Sequence, residues 1–99
     1  MATWTRKPQE QENQKHQFNG QFIITAGVSA ELTKVEIIGI YYDVLKFVEE
    51  KGSIDYLQVY VDEKGRKLFF INELDSDMIA SGNYSPEDNV CTLLFAHEY

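Results

Sequence analysis

IDYLQVYVDEKGRKLFFINEL, residues 54–74, is the stretch of the chain that decides the fold. Apolar Leu and Val alternate with Gln and Tyr over residues 57–61, which is the period-two pattern of a strand. The turn 62–65 ends in Gly65, and a second apolar run follows over 66–74. Two such runs joined by a short Gly-containing turn predict a β-hairpin.

Two more strands flank this hairpin in the sequence. Gln21 to Thr25 is a short apolar run that Ala26-Gly27 ends. The run from Val90 to His97 is apolar at successive positions, so we expect both of its faces to be covered and the strand to be central. Between the hairpin and this last strand, 75–88 is expected to be a loop.

A long helix is predicted from about Ala30 to Lys51, with Ser29 as N-cap and Gly52 as C-cap. At 100° per residue, its polar side chains fall on one narrow strip, and apolar side chains fill about two-thirds of the circumference. A helix on one side of a sheet needs a narrower apolar arc. The excess must be covered by the tail or the 75–88 loop, by a partner, or by a second subunit in a homodimer through helix 30–51.

The order of elements is one strand, one helix and three strands, without repeats or a domain boundary. It predicts an α+β fold, namely an antiparallel four-stranded sheet (β-α-β-β-β along the chain) with one long helix packed on one face. Residues 1–17 are polar and rich in Gln, with Trp4 as their one large apolar group, and are expected to be a flexible tail. Residues 18–99 are expected to form a single domain.

Charge narrows the classes of partner. Sixteen acidic and nine basic residues give a net charge of −7, and no Lys or Arg follows Lys67. Nucleic-acid binding and adsorption to anionic membranes both need clustered cations, so we expect neither. The charge fits a protein partner with a basic surface, although solubility alone also favours acidic surfaces.

The C-terminal CTLLFAHEY, residues 91–99, carries a Cys, a His and a carboxylate. At ~3.3 Å per residue, Cys91 and His97 lie roughly 20 Å apart on a regular strand, too far to act as nucleophile and base. Glu98 points to the opposite face. The sequence also lacks a Gly-rich phosphate loop, a zinc-ligand set and a nucleophile elbow. We therefore predict a protein that is not an enzyme, with no catalytic residues, no metal and no cofactor.

Location is predicted from the same features. The single Cys excludes an intramolecular disulfide, as is usual in a reducing compartment. No apolar run is long enough for a transmembrane helix, and the N-terminal residues lack the apolar stretch of a signal peptide. We expect a cytoplasmic protein that does not bind membranes.

Five acids form the candidate partner-binding stretch. Glu73, Asp75 and Asp77 alternate in a way that can gather a hard cation, but the glycine and later glutamate of a calcium loop are missing. A solvated strand end is the simpler interpretation of these three. Together with two acids of the same base-free region, they are the residues expected to contact a basic partner: Glu73, Asp75, Asp77, Glu87 and Asp88.

Tyr56 and Tyr60 share one face of the first hairpin strand, with Gln58 between them. Two tyrosines in a row can form an aromatic contact face for a partner. The alternative is that they pack beneath the helix or a loop, with their hydroxyls reaching the edge of the core.

Several short motifs resemble an uncharacterised family of small bacterial, plasmid and prophage proteins. The motifs are GQFIITAGV, the hairpin segment IDYLQVYVDEKGRKLFF, SPED and the closing TLLFAHEY, within residues 20–99. Matching positions are Thr25, Gly27 and Val28; Asp55, Tyr56, Val61, Asp62 and Gly65; and Ala96, Glu98 and Tyr99. Phe70 stands where members often have Trp, and the acidic loop here is shorter. The resemblance implies an accessory protein of a mobile element but no assigned activity.

Two functions remain open from the sequence. The first is an acidic, non-enzymatic interaction module, a phage or plasmid inhibitor that binds the basic, nucleic-acid-handling surface of a host defence protein. The second is a homo-oligomer that binds or sequesters a small ligand such as a nucleotide or metabolite, with tyrosines available to stack on a base. The only cluster of cations for a phosphate is Lys64, Arg66 and Lys67.

Overall fold

The computed structural model describes residues 2–9 and 15–99. One sheet contains five strands: β1 (Thr5–Arg6), β2 (Gln21–Ile24), β3 (Leu57–Val61), β4 (Lys67–Asn72) and β5 (Val90–Phe95). The helices are α1 (Ala26–Glu31), α2 (Lys34–Lys51) and α3 (Ser76–Ala80), with 3₁₀ turns at Pro86–Asp88 and Ala96–Glu98. The α+β class is therefore confirmed.

The sheet is mixed, with strand order β1-β3-β4-β5-β2, so the prediction of four antiparallel strands is wrong. The hairpin and β5 are antiparallel neighbours, but β2 pairs with β5 in parallel. The reason is geometric. The helices carry the chain back to the end where β2 began, so β3 runs in the direction of β2, and two antiparallel steps later β5 does as well.

The fifth strand comes from the segment predicted as a tail. Thr5 and Arg6 pair with Val61 and Tyr60, which adds a short strand to the outer edge of β3. Residues 10–14 of the predicted tail 1–17 lie outside the described residues, so its flexibility stays a prediction. Two residues are too few to show a strand pattern in the sequence, which is why β1 was missed.

The predicted single helix is interrupted at Leu32 and Thr33. Leu32 ends α1, and Thr33 begins α2 by accepting a hydrogen bond from the backbone N–H of Glu36 (3.1 Å). The Glu36 carboxylate accepts from the Thr33 N–H in return (3.0 Å), which completes a capping box. Ser29 is therefore an interior residue of α1, not the cap. Gly52 ends α2 with φ +84°, as predicted for a glycine C-cap.

The helices cover one face of the sheet. That face carries Tyr60, Leu68, Phe70 and Leu93, each 2% exposed or less. The Phe70 ring makes an edge contact with Phe18 at 5.0 Å between centroids. The core therefore lies between this face of the sheet and the inner side of the helices.

The opposite face of the sheet is apolar as well. Its side chains include Val59, Phe69, Ile71 and Thr92, and all four are half-buried. None of them belongs to the cluster of core residues that packs against α1 and α2. Within the described residues, the two faces of the sheet therefore differ in packing although both are apolar.

The surface of α2 does not divide as its sequence pattern predicts. The N-terminal segment covers two residues of the polar strip, because the Trp4 indole donates to Glu36 (2.8 Å) and Arg6 pairs with Asp43 (3.0 Å). The exposed surface of α2 also includes an apolar row, here called the apolar stripe: Val35, Ile38, Tyr42 and the half-buried Leu45. Exposed fractions of 66%, 50% and 63% for the first three show that this stripe is not part of the core.

A search of the described helices for a membrane span found none with the length and apolarity that crossing a bilayer requires.

Candidate functional site

Five acids lie on the connection between β4 and β5, at one end of the sheet. We call Glu73, Asp75, Asp77, Glu87 and Asp88 the acidic rim. β4 and β5 are antiparallel, with Asn72 opposite Cys91, so the connection between them begins and ends at the same end of the sheet. The Glu73 N–H donates to the carbonyl of Val90 (3.1 Å), which brings the first rim residue next to the last ones.

Asn89 fixes the rim to the sheet. It is 1% exposed, and its side-chain oxygen accepts from the N–H of Leu74 (3.0 Å). Its backbone carbonyl accepts from the N–H of Gln21 (3.0 Å), the first residue of β2. Gly20 packs so closely here that a Cβ would lie 2.4 Å from the Asn89 carbonyl oxygen. The rim is therefore a positioned part of the fold.

The rim carboxylates have different local roles. Asp75 caps α3 by accepting from the N–H of Met78 (2.8 Å), and Asp88 accepts from the N–H of Ser85 (3.0 Å). Asp77 pairs with Lys15 at 2.9 Å, and this exposed pair raises the pKa of Lys15. Removing the side chains of Asp75 or Asp88 would therefore disturb the loop itself.

Among the rim residues, Glu73 and Glu87 contribute least to the local structure of the connection. Both are exposed, and their one side-chain hydrogen bond among the described residues is from the Ser85 hydroxyl to Glu87 (3.3 Å). Within residues 2–9 and 15–99, no three His, Cys, Asp or Glu side chains form a group that could hold a metal ion. As arranged, the rim carries exposed carboxylates at one end of the sheet.

A chain of buried polar groups lies directly behind the rim. The Asn72 side-chain amide donates to Nδ1 of His16 (2.7 Å) and to the carbonyl of Leu74 (2.8 Å). Its oxygen accepts from the thiol of Cys91 (3.2 Å). Asn72 thus satisfies three partners at once, and an amide N–H requires His16 Nδ1 to be unprotonated.

These three residues do not form a nucleophilic site. Burial raises the pKa of the Cys91 thiol to about 11, so the sulfur carries its proton at neutral pH. Cys91 is 0% exposed, and Asn72 separates it from His16. A neutral, inaccessible thiol without an adjacent base lacks what nucleophilic catalysis requires.

Stability should decrease in mild acid because of His16. Burial lowers the pKa of His16 below its ordinary value of 6.5, and the charges of Asp75 and Asp55 only partly oppose this. The unfolded chain then binds the proton more readily, so unfolding becomes easier as pH falls below about 6.5. Urea unfolding of the wild type should show this loss, and His16→Gln, which keeps an acceptor for Asn72, should lack it. Equal pH dependence of the two proteins would contradict this account.

His97 and Glu98 lie at the other end of the sheet from the rim. β5 ends at Phe95, and His97 stacks on the Phe95 ring in the following 3₁₀ turn. Glu98 accepts from the Thr25 hydroxyl and from the Phe95 N–H, both at 2.8 Å, and these bonds lower the pKa of Glu98. Glu98 therefore ties the C-terminal turn to the N-cap of α1.

The hydrogen bond between Thr25 and Glu98 joins the motif at the start of α1 to the C-terminal motif. A Cβ on Gly27 would lie 2.8 Å from the Glu98 carboxylate, so glycine is the residue that leaves room for this carboxylate.

At the hairpin turn, Asp62 accepts hydrogen bonds from the N–H groups of Lys64 (3.0 Å) and Arg66 (2.8 Å). The motif residues in these two places stabilise turns and caps.

The two candidate tyrosines do not form a shared surface. Tyr60 is 2% exposed, and its hydroxyl donates to Asp43 at 2.6 Å. Burial and this contact raise the pKa of Tyr60. Tyr56 precedes β3, is 37% exposed and lies beside the His16 ring. Tyr60 packs beneath the helices, which is the alternative that the sequence left open, because its side of β3 faces them.

Two concave regions stand apart from the rim. One, of about 650 Å³, lies between β1 and α2, but Trp4, Arg6, Glu36 and Asp43 on its walls already bond to one another. The other, of about 450 Å³, lies between α1 and the hairpin. It is lined in part by Arg66, Lys67 and His97, and its volume falls within the usual range for small ligands.

Sequence reasoning missed the His16–Asn72–Cys91 cluster and the exposure of the apolar stripe. The cluster joins three separate segments, so no local spacing could reveal it. Glu36 and Asp43 are covered by contacts with the segment that contains β1, and this strand has no recognisable pattern in the sequence. Comparison of the chain with protein-family models, curated proteins and solved structures gave no match.

Proposed function

We propose that this protein is a non-enzymatic interaction module that binds a basic surface of another protein through the acidic rim. The observation that carries the proposal is the arrangement of five acids on one anchored connection, in a part of the chain (68–99) without Lys or Arg. Glu73 and Glu87 are exposed, so their carboxylates can accept hydrogen bonds from Arg and Lys of a partner.

The class of partner follows from charge and from the resemblance. Surfaces that handle nucleic acids are built from Arg and Lys that bind phosphate oxygens, and carboxylates can contact the same groups. The resemblance to small accessory proteins of mobile elements makes a host defence protein in the cytoplasm the proposed target. Occupation of its phosphate-binding surface would inhibit it without any chemical reaction.

The test is affinity capture from bacterial lysate, with elution by stepwise salt and mass spectrometry of each step. Wild type is compared with the rim variant Glu73→Gln/Glu87→Gln and with Glu31→Gln/Glu63→Gln, which changes the net charge equally at the hairpin end. We expect one dominant nucleic-acid-handling protein, captured about tenfold less well by the rim variant, since each exposed ion pair contributes up to ~1 kcal/mol. Equal capture by all three proteins would contradict the proposal.

A small-ligand function is the second candidate, and the cavity beside the hairpin favours it. Lys67 and His97 are exposed, and Arg66 forms ion pairs with Glu31 (3.3 Å) and Asp62 (2.7 Å). An anionic ligand such as a nucleotide could contact the cationic side chains of Arg66 and Lys67. Calorimetric titration with nucleoside mono- and diphosphates and cyclic nucleotides tests it, and no heat above dilution for any of them would exclude this reading.

A further inference from the structure

The apolar stripe on α2 has the spacing of a helix–helix interface. Val35, Ile38, Tyr42 and Leu45 follow one another at intervals of three, four and three residues. That spacing keeps apolar side chains on one line of a helix, where they can fit between those of a facing helix. The first three are exposed in the monomer by half or more of their surface.

Within the monomer, Val35 and Gly39 line the open cavity between β1 and α2, and no described contact requires a glycine there. Gly39 lies in the middle of α2, where glycine is unfavourable for a helix. A Cβ at Gly39 would meet no atom within 4 Å, so no neighbour among residues 2–9 and 15–99 requires its absence. A second helix that approaches closely would give this glycine a role.

The charges at the two ends of the stripe distinguish the possible partners. Lys34 precedes the stripe, and Glu49 follows it. Both are exposed, and neither forms an ion pair within the described residues. A parallel copy would place Lys34 beside Lys34, whereas an antiparallel copy places Lys34 of one chain near Glu49 of the other.

We propose that the apolar stripe is the interface of a homodimer in which two α2 helices pack antiparallel about a two-fold axis near Gly39. In this register Val35 of one copy faces Leu45 of the other, and Ile38 faces Tyr42, so each stripe residue has an apolar partner. The interface is independent of the acidic rim and goes beyond the proposed binding function.

The antiparallel arrangement of the two α2 helices also determines where the acidic rims of the two copies lie. The C-terminus of α2 lies at the rim end of the sheet, because Ile54, just after the helix, pairs with His16 behind the rim. Antiparallel packing therefore directs the two rims to opposite ends of the dimer. Such a dimer would bind two partner molecules rather than grip one molecule at two points.

Sedimentation equilibrium of the full chain over a range of concentrations tests the proposal. The wild type should be a dimer, and Ile38→Glu should weaken association more than ~tenfold by placing a charge in the apolar interface. Met78→Glu is the matched control, because Met78 is also an exposed apolar helix residue (42%) but lies on α3. A monomeric wild type, or equal effects of the two variants, would overturn the proposal.

A charge exchange tests the antiparallel register without putting a charge into the apolar stripe. Lys34→Glu and Glu49→Lys should each weaken the dimer by roughly fivefold, since each creates two like-charge contacts across the two-fold axis. The double variant restores opposite charges and should return the dissociation constant to within about twofold of wild type. Failure of the double variant to recover would overturn the antiparallel arrangement, and circular dichroism confirms that each variant is folded.

Discussion

Phe70→Ala should cost about 3–5 kcal/mol of unfolding free energy, as is usual for loss of a fully buried Phe. The ring is 0% exposed and lies at 5.0 Å from Phe18, 5.4 Å from Phe22 and 6.4 Å from Tyr41 between centroids. It is thus the point where β2, β4, α2 and the segment before β2 meet. Domains of this size are typically stable by only ~5–15 kcal/mol, so the variant should lose a large part of its stability.

Phe69→Ala is the matched control, because Phe69 is the preceding residue of β4 but points to the face of the sheet opposite the helices. It is half-buried, and its one ring contact among the described residues is with Tyr99 at 5.7 Å. Its loss should cost only about 1–2 kcal/mol, since less apolar surface returns to water. Urea unfolding of both variants measures the difference, and equal losses would show that the helices do not define the packed face.

Gly20→Ala should lower the free energy of unfolding by about 1–3 kcal/mol through overpacking. The added Cβ would lie 2.4 Å from the carbonyl oxygen of Asn89 and 2.6 Å from its carbon, and neither backbone atom can move alone. The same carbonyl accepts from Gln21, so the parallel pairing of β2 with β5 begins at this contact. The variant should therefore separate β2 from the sheet and loosen the rim.

Two measurements check the effect of Gly20→Ala. Urea unfolding gives the loss of stability, with Gln17→Ala, an exposed neighbour, expected to remain within ~0.5 kcal/mol of wild type. Amide hydrogen exchange should accelerate at Gln21 and Leu74, whose N–H groups both bond to Asn89. Unchanged stability and unchanged exchange at these amides would contradict the close contact between Gly20 and Asn89.

The parts of the fold that local patterns determine were predictable from the sequence. The hairpin, the interior position of β5 in the sheet and the glycine cap at Gly52 were all indicated by patterns within a few residues. The start of α2 was also readable in principle, because Thr33 and Glu36 have the spacing of a capping box. The prediction of Ser29 as the N-cap therefore placed the start of the helix incorrectly.

Other features depended on contacts between distant segments. Both faces of the hairpin strands are apolar or aromatic, so alternation alone could not say whether Tyr60 or Val59 faces the core. The pairing of β1 with β3 decides which side of α2 is covered, and the polar contacts of Trp4 and Arg6 lead to an exposed apolar stripe. The rim was easier to foresee, because its five acids share one connection between adjacent strands.

The most direct test of the acidic rim is the salt dependence of affinity for the captured partner. Titrations over a range of NaCl concentrations should show weaker binding of the wild type as salt screens the rim charges. The rim variant Glu73→Gln/Glu87→Gln should bind more weakly at low salt and depend less on salt, while Glu31→Gln/Glu63→Gln should follow the wild type. Salt-independent binding, or identical salt dependence in all three proteins, would contradict recognition through the rim.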